Sequence, residues 1–290
     1  MSDIVDFYSR FTADYIAWCQ KHPEISEDEE KLEEVFPEQC QKWYSSPKKW
    51  LAGKSPNQYF EEIDDEKVYV SMLVSYIESD MEIPEPLIDC IVDRKKKTYP
   101  ILRNILFVNG ENDISSDALC EVRAKAVSLI DEMQMEHPYG QYIALLIEHA
   151  KADDNLTEVL CIALEETDKP EEVRKALLEA YPLSDGVGRE CILDLLCGFA
   201  DDGTVYSILT EEFRRDDMEL AYVADLAGKL GDERLLPYLR RAAEDSSADY
   251  MTFTALKYAI ERITGEEMKE RDFTGDPVFD YLAGMNSEDE

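Results

Sequence analysis

Cationic side chains are scarce in this chain. Its 290 residues contain 30 Lys and Arg against 65 Asp and Glu, which gives a formal net charge of −35. Such a surface repels the phosphates of nucleic acids and anionic lipids, which proteins bind through Lys and Arg. The composition therefore disfavours a nucleic-acid-binding or membrane-binding protein. Hydrophobic residues make up 44% of the chain, which is enough for a folded core.

Long apolar runs and a secretion signal are also missing. The longest apolar stretches are short, such as YIALLI at 142–147, and fall far below the roughly 18 residues that a membrane span needs. The N-terminus lacks the basic start and apolar centre of a signal peptide. Seven cysteines lie mostly in apolar helical patterns without any CxxC pair, which is typical of reduced, buried thiols. We therefore expect a soluble cytoplasmic protein.

Motifs of the common enzyme classes are absent as well. The chain has no GxSxG, HExxH, GxxxxGK[ST] or GxGxxG sequence. Of its three histidines, His22 and His137 each precede a proline at a helix end, where an imidazole can bond carbonyls. His149 lacks an evident set of three metal ligands. The sequence therefore predicts no catalytic residue, no metal site and no cofactor.

Helical periodicity dominates what the sequence does contain. Apolar residues recur at the 3.6-residue spacing of amphipathic helices, and Asp, Gly, Asn or Pro interrupt them to leave helices of about 10 to 15 residues. The pattern predicts helices near 155–166, 170–181 and 186–199. No segment shows the alternation of a strand, so the predicted fold class is all-α.

The chain also repeats itself. LCGFADDGTVYSIL at 196–209 aligns with LAGKLGDERLLPYL at 226–239, at an offset of 30 residues. The aligned pairs are Leu196 and Leu226, Gly198 and Gly228, Asp202 and Asp232, Val205 and Leu235, and Leu209 and Leu239. A weaker copy lies 49 residues upstream of the first, at 147–160. Similarity at a fixed offset indicates stacked helical units rather than one closed bundle.

The stretch 230–265, LGDERLLPYLRRAAEDSSADYMTFTALKYAIERITG, resembles HEAT-type helical repeats. It has a Leu-Gly-Asp turn, a first helix with Pro237, an acidic linker and a second helix with small and apolar positions. EVRAKAVSLI from Glu121 and EEVRKALLEA from Glu171 are similar to the Val-Arg opening of HEAT second helices, whereas Tyr250 and Met251 replace that pair in the last unit. The resemblance covers about 115–265 and implies an α-α superhelix, a HEAT-like solenoid, without specifying an activity.

This reading divides the chain into three regions. Residues 1–114 are helical without the repeat, and form either an atypical cap on the stack or a separate small domain. Residues 115–265 carry the HEAT-like repeats. Residues 266–290 include Phe273, Val278 and Phe279, which are too apolar for a free tail, so we expect a C-terminal cap followed by a short acidic tail.

One segment of the N-terminal region departs from the acidic composition. Residues 39–60, QCQKWYSSPKKWLAGKSPNQYF, contain four Lys, two of the chain's three Trp and no acidic residue. They form either a recognition surface, with aromatic anchors and lysines for an acidic partner or a phosphate, or a packed loop whose lysines neutralise flanking acidic runs. The candidate binding residues here are Trp43, Lys48, Lys49, Trp50 and Tyr59.

A solenoid of this kind predicts a non-enzymatic protein-binding scaffold whose concave face consists of the second helices of successive units. The acidity favours a basic protein or peptide as the partner. Candidate positions on that face are Arg189, Asp194, Tyr222, Asp225, Tyr250, Lys257 and Tyr258. The alternatives are an enzyme or enzyme-associated subunit of unrecognised class, and an inhibitor whose acidic surface imitates nucleic acid.

Overall fold

A computed structural model describes residues 4–107, 116–152, 154–199, 203–214 and 219–286. These ranges contain seventeen α-helices and three short 3-10 turns, and no strand. The prediction of an all-α fold is therefore confirmed. Asp202 of the repeat alignment and the acidic tail at 287–290 lie outside the described residues.

The chain forms two compact units. The first consists of Met1–Leu145 and Ala152–Ala163, and the second of Leu146–Lys151 and Leu164–Glu290. The boundaries that the sequence suggests, at 114 and 265, stay predictions.

Several helices of the first unit begin with side-chain caps. Its helices, of which the last two reach the boundary between the units, are α1 (Phe7–Cys19), α2 (Pro23–Ser26), α3 (Glu29–Ser45), α4 (Pro56–Glu61), α5 (Glu66–Glu78), α6 (Glu85–Asp93), α7 (Lys95–Ile105), α8 (Ser116–Glu132), α9 (Tyr139–His149) and α10 (Asn155–Glu165). Asp6 accepts a 2.8 Å hydrogen bond from the backbone N–H of Ser9 at the start of α1. Such caps satisfy backbone donors that have no partner within the helix. The core lies where α5, α7 and α8 pack together, with Tyr69, Tyr76 and Leu102 fully buried.

The second unit is a succession of helix pairs. Its remaining helices are α11 (Pro170–Ala180), α12 (Gly186–Gly198), α13 (Thr204–Glu212), α14 (Leu220–Leu230), α15 (Leu236–Ala243), α16 (Tyr250–Thr264) and α17 (Pro277–Asn286). α11 packs on α12, α13 on α14 and α15 on α16, while α14 also packs against both α12 and α16. The apolar positions that the sequence repeat aligns are all buried: Leu196, Val205, Leu209, Leu226, Leu235 and Leu239. The repeated apolar residues therefore form the core of this unit.

Equivalent helices of the second unit lie side by side and point in the same direction. The Tyr222 hydroxyl on α14 donates to the Glu190 carbonyl on α12 at 3.0 Å. Further towards the C-terminus of both helices, Lys229 Nζ on α14 donates to Asp194 Oδ2 on α12 at 2.9 Å. Both contacts join residues slightly more than one 30-residue repeat apart. On the other side of α14, Gly228 lies against Ala259 of α16.

The contact between α14 and α16 leaves little room for a side chain at Gly228. A Cβ on Gly228 would lie 3.0 Å from the Cα of Ala259 and 3.3 Å from its Cβ, so we expect Gly228→Ala to lower the free energy of unfolding by about 1–2 kcal/mol. At the aligned position Gly198, the same methyl would meet flexible side-chain atoms of Lys229 and Glu165, at 3.7 and 3.8 Å. Gly198→Ala should therefore change stability by less than about 0.5 kcal/mol. Urea unfolding measures both variants, and equal losses would contradict a close α14–α16 contact.

The segment after Gly265 packs onto α15 and α16. The Arg271 guanidinium donates to the carbonyls of Ala243, Asp245 and Ala248 at 3.3, 2.9 and 2.6 Å. It also lies 4.5 Å from the ring centroid of Phe273, which is buried. One arginine thus occupies carbonyls at the end of α15 and in the turn before α16, where cations are favourable.

Two further expectations concern cysteines and membranes. None of the seven cysteines forms a disulfide, but only Cys197 is buried and the other six are half-buried. The prediction of buried thiols is therefore wrong for six of them, because helical patterning does not distinguish a core position from its margin.

Within the described ranges, no helix combines the length and apolarity that crossing a bilayer requires.

Candidate functional site

The aromatic residues of segment 39–60 gather around α1. Ring centroids of Trp50 and Tyr59 lie 5.8 and 5.7 Å from that of Phe7, and Trp43 lies 5.6 Å from Phe11. Trp43 is only 8% exposed, whereas Trp50 is 40% exposed. Packing therefore accounts for Trp43, as aromatic residues in a core usually do, and Trp50 keeps an accessible edge.

The backbone of this segment is more ordered than a loop. α3 continues to Ser45, a 3-10 turn follows at Lys49–Leu51, and Ala52 and Gly53 adopt positive φ values of 54° and 85°. Glycine adopts such a conformation without steric cost, which lets the chain reverse here. The Ser55 side chain then caps α4 in a reciprocal arrangement with Gln58. This geometry fixes Lys48 immediately before the turn.

A cleft between α1 and α3 lies beside Trp43. Its volume is about 230 Å³, and its lining residues are Phe11, Asp14, Tyr15, Trp18, Gln39, Lys42, Trp43, Ser46 and Lys48. Asp14 Oδ2 accepts a 2.7 Å hydrogen bond from the indole Nε1 of Trp43. The Lys48 ammonium lies 4.1 Å from the centroid of the same ring, a cation–π contact. Partial burial lowers the pKa of Lys48, an effect that the nearby Asp14 charge opposes.

Four residues of the cleft come from α1, outside the segment that the sequence singled out. Phe11, Asp14, Tyr15 and Trp18 share one helix face with Phe7, and their spacing of three and four residues could have indicated this face. Lys49, by contrast, is exposed and does not line the cleft.

A second group of predicted residues lies on α12 and α14 of the second unit. Lys229 contacts Asp194 at 2.9 Å and Glu165 at 3.6 Å, so two carboxylates neutralise one cation. Tyr222 is half-buried between the helices, and this burial raises the pKa of its hydroxyl.

Asp225 occupies the exposed sector of α14. Tyr222 and Lys229 face α12, and Gly228 faces α16. At 100° per residue, Asp225 lies between these two directions and away from the buried Leu226. Its side chain is exposed, and its surroundings desolvate the carboxyl enough to raise its pKa. No cation of the described residues forms an ion pair with it.

Tyr258 lies on the matching side of α16. Ala259 faces α14 and Leu256 is fully buried, which leaves Met251, Tyr258 and Arg262 on the open side of the helix. Tyr258 is 61% exposed and Met251 is 55% exposed. We define the α12/α14/α16 face as the exposed residues Asp225, Met251, Tyr258 and Arg262 together with the half-buried Asp194 and Lys229.

Two further predicted residues contact the C-terminal segment, although the Lys257 ammonium also lies 5.9 Å from the ring centroid of Tyr258. The ring centroid of Tyr250 lies 5.5 Å from that of Phe273 and 5.3 Å from that of Phe279. Lys257 forms a hydrogen bond and ion pair with Glu270. Both side chains thus hold the segment after Gly265 against α16.

Arg189 also points elsewhere, into a buried polar cluster that the sequence did not predict. Its guanidinium lies 3.0 Å from Glu212 Oε1 and 4.2 Å from the ring centroid of Tyr181. The Tyr181 hydroxyl donates to the same oxygen at 2.9 Å, and burial raises its pKa. Glu212 is only 2% exposed, so this cluster joins α12 and α13 inside the unit.

Neither group has the arrangement of a metal centre. Across the ranges that the structure describes, no three His, Cys, Asp or Glu side chains converge where they could hold a metal ion. Comparison of the chain with protein-family models, curated proteins and solved structures finds no match. The resemblance to HEAT repeats therefore stays a prediction.

Proposed function

We propose that this protein is a non-enzymatic binding scaffold. In this proposal its second unit is a HEAT-like α-α superhelix, and the α12/α14/α16 face binds a basic protein or peptide. The parallel packing of α14 against α12, in a register close to the 30-residue sequence repeat, supports the superhelix. A cytoplasmic location stays a prediction.

The observation that carries the binding proposal is the chemistry around Asp225. This carboxylate is exposed and has no cationic partner among the described residues, and the neighbouring α16 presents the exposed side chains of Tyr258 and Met251. Tyrosine and methionine are enriched at protein interfaces. A carboxylate beside such anchors suits a partner that supplies Lys or Arg next to an apolar group.

Electrostatics extends this preference beyond the contact itself. With a net charge of −35, the chain attracts a basic partner and raises its association rate, and salt screens this attraction over about 10 Å. Asp194 and Glu165 both lie within ion-pair distance of Lys229 and neutralise it, and Arg262 is the remaining cation of this face.

Fluorescence anisotropy of a labelled peptide of alternating Arg and Ala tests this proposal. We expect Asp225→Asn to weaken binding about threefold, the effect of losing one exposed ion pair. Tyr258→Ala should weaken it about tenfold, since truncating an interface anchor costs more than 1 kcal/mol. Binding should also weaken as salt is raised.

Matched controls separate the face from the overall charge. Glu244→Gln removes one exposed acid at the end of α15, and Tyr281→Ala truncates a tyrosine on α17 that is 67% exposed. Both controls should bind the peptide like the wild type. Equal losses in the control and face variants, or equal affinity for a peptide of alternating Glu and Ala, would contradict the proposal.

A further inference from the structure

The cleft between α1 and α3 contains an ammonium without a counter-ion. The Lys48 Nζ lies over the Trp43 ring, and no carboxylate of the described residues lies within ion-pair distance of it. Asp14, the nearest acid in the cleft, accepts the hydrogen bond from the Trp43 indole. Lys48 thus carries a partly buried positive charge that an incoming anion would balance.

The environment of Lys48 is unusual for this protein. Lys42 lines the same cleft, so two of its nine lining residues are lysines and one is an aspartate, in a chain with more than twice as many acids as bases. A second cation entering the cleft would meet both lysines. An oxyanion would instead form charge-assisted hydrogen bonds, which are stronger than neutral ones.

The remaining walls of the cleft are aromatic. Tyr15 and Trp18 stack with an interplanar angle of 9°, and Phe11 and Trp43 meet edge to face. The volume of about 230 Å³ is below the 300–1,000 Å³ that is typical of sites for drug-sized ligands. A cleft of this size accommodates one ring with a short substituent.

We propose that this cleft is a binding site for an aromatic carboxylate. The carboxylate would lie between Lys48 and Lys42, and the ring would pack against Tyr15, Trp18 and Trp43. Two sources share this chemistry: a free aromatic acid, and the C-terminal aromatic residue of a peptide. The site lies in the first unit and is independent of the proposed binding at the α12/α14/α16 face.

Titration with phenylacetate tests the site directly. The chain has three tryptophans, so nitrogen–proton correlation spectra contain three indole signals, each of which single Trp→Phe variants can assign. Phenylacetate should shift the signals of Trp18 and Trp43 in a saturable way, and 2-phenylethylamine, the matched cation, should not. The tripeptide Gly-Gly-Phe and its C-terminal amide distinguish the two sources. If the ligand is a peptide C-terminus, Gly-Gly-Phe with its free carboxylate should bind more tightly than phenylacetate and more tightly than its own amide.

Substitution of the lysines provides the second arm. Lys48→Met should weaken phenylacetate binding about tenfold, the effect of losing one charge-assisted hydrogen bond. Lys49→Met removes the same charge one residue away and should have no effect. Retained circular dichroism and unshifted Trp50 signals would show that both variants fold. Absence of saturable binding, tighter binding of the amine, or equal effects of the two substitutions would overturn the proposal.

Discussion

Gly188→Ala is expected to lower the free energy of unfolding by about 3 kcal/mol, at the upper end of the range for overpacking. Gly188 lies in the first turn of α12, and a Cβ at this position would lie 2.4 Å from the carbonyl oxygen of Leu146 on α9. Both groups belong to helix backbones, so a side-chain rotation cannot relieve the overlap. The helices would have to separate and lose buried contacts.

Gly140 provides the control for this substitution. It lies near the start of α9, and a Cβ there would have no heavy atom within 4 Å. Gly140→Ala should be neutral or should stabilise the protein by up to about 1 kcal/mol, because alanine is the better helix former. Urea unfolding curves of the two variants measure the difference. A Gly188→Ala protein as stable as the wild type would show that α9 and α12 do not approach this closely.

The second large effect is expected at the buried cluster of Tyr181, Arg189 and Glu212. Arg189→Met should lower the free energy of unfolding by about 3 kcal/mol, because it removes the Arg189 ion pair of the buried Glu212 carboxylate. The Tyr181 hydroxyl, which donates to Glu212 at 2.9 Å, compensates for only part of that loss. Chemical denaturation near neutral pH measures the effect.

Two controls show whether charge is responsible. Adding Glu212→Gln to Arg189→Met should restore part of the stability, because a neutral amide needs no cation. Lys175→Met removes one partner of the exposed pair Lys175–Glu179, at 4.0 Å, and should cost less than about 0.5 kcal/mol. If the double variant were no more stable than Arg189→Met, the loss would reflect packing of the arginine rather than an unbalanced charge.

The helices α10, α11 and α12 could be predicted closely from the sequence. The predicted ranges 155–166, 170–181 and 186–199 correspond to Asn155–Glu165, Pro170–Ala180 and Gly186–Gly198. Apolar periodicity and turn residues are local signals, and here they coincide at both ends of each helix. The aligned repeat positions were equally informative, because the same spacing places buried apolar residues at equivalent positions in both copies of the sequence repeat.

The direction of polar side chains could not be predicted in the same way. The sequence does not distinguish Arg189, Tyr250 and Lys257 from Asp225, because each is a polar or aromatic residue of a predicted second helix. Their positions depend on neighbours distant in sequence, such as Glu212 for Arg189 and the segment after Gly265 for the other two. Only tertiary packing decides which of these side chains reach solvent.

The N-terminal candidates show the same limit. An acid-free aromatic segment was visible in the composition, but α1 contributes four of the nine residues that line the cleft beside Trp43. The sequence left two roles open for the segment, and the structure assigns packing to Trp43 and a partly buried, uncompensated charge to Lys48. A composition count cannot distinguish these roles, because it contains no information about which helix covers which ring.

Site-specific photocrosslinking in the native cell tests the proposed binding face most directly. A photoreactive benzoylphenylalanine in place of Tyr258 should crosslink one protein in which Lys and Arg outnumber Asp and Glu, and Asp225→Asn should reduce that product. The same group in place of Tyr281, which is at least as exposed, should not capture that protein. Equal crosslinking at both positions, an acidic product, or no product at position 258 would contradict the account.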